Sequence, residues 1–108
     1  MINCFVAVYK HLDKLYGLPH KWHGYTVDDM DLFVKDQKKF LARRDHIAFF
    51  RSFCERVKSA KKDDIVLTKG SVGCAINRFT YWVYSEDTKG IIHKKIDKDC
   101  LIMRFKHG

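Results

Sequence analysis

The chain has 108 residues, and its 21 Lys and Arg against 13 Asp and Glu give a formal net charge of +8. A hydrophobic fraction of 46% with 14% aromatics excludes a disordered chain, and one Pro with six Gly excludes collagen-like or linker composition. The length suits one domain over residues 1–108, and no apolar run approaches the ~20 residues that span a bilayer.

The opening Met1-Ile2-Asn3-Cys4 has no basic stretch and no small-residue cleavage site, so no secretory signal is expected and the chain is expected to begin in a cytoplasm. Cysteines stand at 4, 54, 74 and 100, with no CxxC pair to seed a zinc knuckle. Free thiols and no metal or other cofactor are therefore expected.

Asn3 is a suitable N-cap for a first helix, with Phe5, Val8, Leu12 and Leu15 at helical spacing and Gly17 and Pro19 as its stop. Leu18 to Tyr25 reads as a loop. Thr26 then caps a second helix with Asp28 and Asp29 in its first turn, where the helix dipole favours negative charge. Met30, Phe33, Val34 and Leu41 form its apolar face, and Arg43, Arg44 and Asp45 interrupt it. Ile47, Phe50, Cys54 and Val57 continue at helical spacing, which predicts a third helix.

After the charged turn Lys61 to Asp64 the period changes. Strands are predicted at Ile65–Thr68, Val72–Asn77, Phe79–Tyr84, Ile91–His93 and Leu101–Phe105. Helices followed by consecutive short strands predict an α+β fold, with N-terminal helices packed on a small antiparallel sheet.

Cys4 opens the first helix, where free backbone N–H groups and the dipole favour an anion, so a lowered thiol pKa is expected there. The bland alternative is a small buried hydrophobe. The stretch Asn3-Cys4-Phe5-Val6-Ala7-Val8-Tyr9, running on to Gly17-Leu18-Pro19 and Gly24-Tyr25-Thr26, resembles the start of NlpC-like papain-fold cell-wall peptidases, and most of all their phage tail-assembly branch. Three further segments follow in the family's order. Asp63-Asp64-Ile65-Val66-Leu67 is similar to its Gly-Asp-hydrophobic strand, and Ser71-Val72-Gly73-Cys74 to the strand that begins His-Val-Gly in active members. Gly90-Ile91-Ile92-His93 is similar to the segment that supplies the third polar catalytic residue.

The resemblance implies a papain-like NlpC-type fold with Cys4 in the nucleophile's place. It also implies a defect, because Ser71 stands where active members carry the catalytic His. A Ser hydroxyl titrates far too high to take a proton from a thiol near neutral pH. Asn3 replaces the usual Asp, Val6 replaces a small Gly, and an aromatic insertion, Arg78 to Thr88, lengthens the path to His93. His93 could act as base only if strand register turned it toward Cys4.

His20 and His23 form an HxxH spacing, but in a loop without a third ligand. His11 lies two helical turns from Cys4, about 10 Å along the axis and out of reach for direct proton transfer. Lys35, Lys38, Lys39, Arg43 and Arg44, continued by Arg51, Arg56, Lys58, Lys61 and Lys62, read as a solvated basic face rather than a nucleic-acid site. In the hairpin Phe79-Thr80-Tyr81-Trp82-Val83-Tyr84 both faces carry aromatics. That pattern makes Phe79, Tyr81, Trp82 and Tyr84 a candidate contact with another chain.

Two classes of function follow. The first is a catalytically silent NlpC-like domain of a phage tail, at or near the tip, assembled in the host cytoplasm. It would dock other tail proteins of hub or tape-measure type. The second is an active cysteine endopeptidase of peptidoglycan peptides, with Cys4 as nucleophile and His93 as base. Nucleic-acid binding through the basic helices is a third and weaker alternative, with affinity that falls steeply with salt.

Overall fold

The computed structural model describes residues 4–18, 21–22, 25–26 and 43–106. Helix α1 (Cys4–Tyr16) buries Phe5, Val8, Tyr9 and Leu12 on one stripe, as their spacing requires. Gly17 ends it in the left-handed region at φ 70°, which glycine enters without a Cβ penalty. The Gly17 N–H donates to the Asp13 carbonyl (2.9 Å) and the Leu18 N–H to the Asp13 carboxylate (2.8 Å), so the helix end is satisfied.

Strands β1 (Lys21–Trp22) and β2 (Tyr25–Thr26) pair as a two-stranded antiparallel ribbon. This corrects the loop read over Leu18 to Tyr25 and places Thr26 in a strand. The helix read after Thr26 falls on residues 27–42, outside the described residues.

Helix α2 (Asp45–Arg51) begins after Arg44, itself left-handed at φ 62°. The helical spacing read through Val57 stops at Arg51 instead. The Ser52 hydroxyl donates to the Phe49 carbonyl (2.6 Å), and the chain then turns into β3 (Cys54–Arg56). Cys54, Glu55 and Arg56 pair with Phe105, Arg104 and Met103, partners about fifty residues away that local periodicity cannot reveal.

The other strands are β4 (Ile65–Leu67), β5 (Val72–Ala75), β6 (Thr80–Ser85), β7 (Gly90–Lys95) and β8 (Leu101–Phe105). With β3 they form one six-stranded sheet, order β3-β8-β4-β5-β6-β7, antiparallel at every pairing. The α+β class and the antiparallel sheet are therefore as the sequence led us to expect, with β3 as an added edge strand.

Register divides the sheet cleanly. Ile65, Cys74, Trp82 and Met103 share one face, and Val66, Gly73, Tyr81 and Ile102 the other. Helix α1 lies on the first face over β5 and β6, with His11 edge-on to Trp82 at 5.5 Å between ring centroids. There Phe5, Phe49 and Phe50 join the two helices, with centroids 5.2–5.8 Å apart. The second face is closed by the segment Ile96 to Cys100, which crosses from β7 to β8. The Ile96 N–H donates to the Phe79 carbonyl (2.8 Å), and Cys100 meets the Tyr81 side chain.

Two polar links tie distant segments. Arg104 forks onto Asp64 (Nε–Oδ1 3.0 Å, Nη2–Oδ2 2.8 Å), and Asp64, only 5% exposed, also accepts the Lys61 N–H at 2.8 Å. His11 Nε2 stands 2.9 Å from Asp63 Oδ1 and anchors the second half of α1 to the turn before β4. Among the described residues no helix is long and apolar enough to cross a membrane.

Candidate functional site

The fold brings the start of α1 against the head of β5. Cys4 is 8% exposed, and the backbone of Val72 hydrogen-bonds its sulfur. Burial pushes the thiol pKa up. The backbone of Val72 and Phe5 opposes this without overcoming it, and the carboxylate of Glu86 adds to the rise. This corrects the expectation that the helix start would favour a thiolate: desolvation outweighs the dipole here.

Ser71, one residue before Val72, turns its hydroxyl elsewhere. It shares a 2.6 Å hydrogen bond with Thr68 Oγ1, while the Ser71 carbonyl accepts the Thr68 N–H at 3.0 Å, so both groups close the tight turn between β4 and β5. Val6 is buried within α1 and packs in the core.

His93 lies exposed on the edge strand β7, opposite Trp82. Trp82 is in turn level with Cys74, two residues beyond Val72. Two strand spacings of ~4.8 Å and two residues of ~3.3 Å put His93 about 12 Å from Val72, Cα to Cα. The structure therefore brings Cys4 and Ser71 to one place and leaves His93 apart from them. His20 and His23 lie outside the described residues. Among the described residues no imidazole hydrogen-bonds the Cys4 sulfur, and no three His, Cys, Asp or Glu side chains gather as metal ligands would.

His46, which no sequence motif surrounds, sits at the start of α2. It is fully buried, its Nε2–H donates to the Thr68 carbonyl (3.0 Å), and its Nδ1 has no hydrogen-bond partner among the described residues. That bond makes Nδ1 the unprotonated nitrogen, and burial lowers the imidazole pKa. His46 thus braces the same turn as Ser71. Nothing near it in sequence signals this, because Thr68 is 22 residues away.

The aromatic strand β6 divides by face. Phe79 is 69% exposed, with the Arg78 guanidinium 5.6 Å from its ring centroid. Trp82 and Tyr84 are half-buried. Tyr81 is buried instead, with its hydroxyl pKa raised by desolvation, so it belongs to the core and not to an outward surface. The basic residues Arg43, Arg44, Arg51, Arg56, Lys58, Lys61 and Lys62 are exposed, while Lys35, Lys38 and Lys39 lie outside the described residues.

The fold and this corner define an α+β domain with a buried thiol at a helix start beside a strand head. Compared with known proteins, the chain matches no family model, no curated protein and no solved structure.

Proposed function

We propose that this is a catalytically silent, papain-like NlpC-type domain that works through protein–protein contacts as a component of a phage tail, at or near its tip. The observation that carries the reading is the setting of Cys4. Its sulfur sits against the backbone of Val72, beside the position where active members hold their base. Here that position is Ser71, whose hydroxyl is engaged by Thr68. A buried, protonated thiol with no imidazole acceptor among the described residues is a poor nucleophile.

The family and the phage setting rest on the four sequence segments. The arrangement of α1 on β5 supports them by putting Cys4 and the Ser71–Val72 strand head together. A silent domain acts through its surface, and a net charge of +8 suits acidic partner proteins. Mass spectrometry of purified tailed particles from cells expressing the chain should find it at a fixed ratio to the tail proteins. Its absence from assembled particles, with no tail component binding the purified protein, would overturn the reading. An active peptidase using Cys4 and His93 is the competing account.

A further inference from the structure

A groove lies on the far side of the sheet from Cys4, between the end of β3 and the segment that crosses to β8. This half-open groove has a volume of about 560 Å³, within the range of ligand-binding clefts. Val57, Ile96 and Ile102 give it an apolar floor, and the Val57 N–H donates to the Ile102 carbonyl (3.0 Å), so that floor is tied to β8. Arg56, Lys58 and Lys98 stand exposed around it and form no ion pair among the described residues. Asp97 is the one acid among the lining residues; it is exposed, and its carboxylate accepts the Asp99 N–H (2.9 Å) and the Cys100 thiol (3.5 Å). Arg56, Lys58 and Lys98 thus outnumber the one lining carboxylate, Asp97, around an apolar floor.

We propose that this groove docks an acidic peptide segment of a partner protein, with an apolar side chain on Val57, Ile96 and Ile102 and flanking carboxylates on Arg56, Lys58 and Lys98. Charge complementarity selects the occupant, because cations alone would suit any anion but the apolar floor rewards an anion carrying a hydrophobic anchor. A nucleic-acid backbone offers phosphates with no aliphatic side chain for that floor. The proposal rests on the reading of the protein as a docking domain and assigns the chemistry of its partner.

The test is fluorescence anisotropy of the purified full chain with a short labelled peptide holding a Leu pair between Glu residues. Two comparison peptides replace the Leu pair by Ser or the Glu residues by Lys, and a labelled single-stranded oligonucleotide is the fourth probe. The Glu–Leu peptide should bind best. Lys58→Glu with Lys98→Glu, both surface changes, should weaken it roughly tenfold. No binding, equal binding of the Ser peptide, tighter binding of the oligonucleotide, or indifference to the charge reversals would each overturn the proposal. Failure here with the chain present in tail particles would leave the silent-domain reading standing. Binding here with the chain absent from particles would reject the phage reading alone.

Discussion

Cys4, Cys54 and Cys74 are buried while Cys100 is half-open, and that difference governs thiol chemistry. Burial raises all four thiol pKa values, Cys54 to about 12, so none is held as a thiolate near neutral pH. Alkylation of the native protein, followed by peptide mapping, should mark Cys100 first and the other three only after denaturant is added. Early labelling of Cys4 would mean an activated sulfur.

His46 gives a pH prediction of known sign. Its folded pKa lies below the ordinary 6.5, chiefly through burial, against which the Thr68 carbonyl and Asp45 pull upward. The neutral ring is therefore favoured in the folded state. Its contribution is complete above the unfolded pKa and is lost as pH falls below it. Urea midpoints taken at about pH 7.5 and about pH 5.5 should drop more for the wild type than for His46→Gln. An equal drop would show that the ring is not buried neutral.

At the scale of elements, what the sequence made legible was whatever is local. The stripe Phe5, Val8, Leu12 marked α1, and Gly17 marked its end, because a helix and its cap are written within a few residues. The switch to short strands after Asp64 was equally plain. β3 was not, since Cys54 and Val57 also fit helical spacing, and only pairing with β8 decides between the two. For the same reason Tyr81 read as surface: the segment that covers it, Ile96 to Cys100, is remote in sequence. The meeting of Cys4 with the Ser71–Val72 strand head comes from the packing of α1 on β5, which joins segments almost seventy residues apart. The position of His93 was not legible, because it depends on two strand registers.

Gly73 supplies the test of this layer. A Cβ there would strike the Trp82 carbonyl oxygen and the Tyr81 ring, since β6 crosses close beneath it. Gly73→Ala should cost about 1–3 kcal/mol by forcing β5 and β6 apart. Denaturant melts measure it, and an unchanged midpoint would refute the close approach.

For the whole molecule, the sheet ends in two edges, β3 and β7. Along β7 the exposed Lys94 and Lys95 place cations on the strand that would otherwise invite pairing with a second sheet. Charge on this domain therefore has a structural use at β7 and, by our proposal, a recognition use at the groove beside β3. The molecule sets a helix-start thiol against a strand head and holds it buried, protonated and without an imidazole partner among the described residues. Release of peptides from purified cell wall, compared between the wild type and Cys4→Ala, tests that account most directly. We expect the same background release from both proteins, whereas release by the wild type that Cys4→Ala abolishes would contradict it.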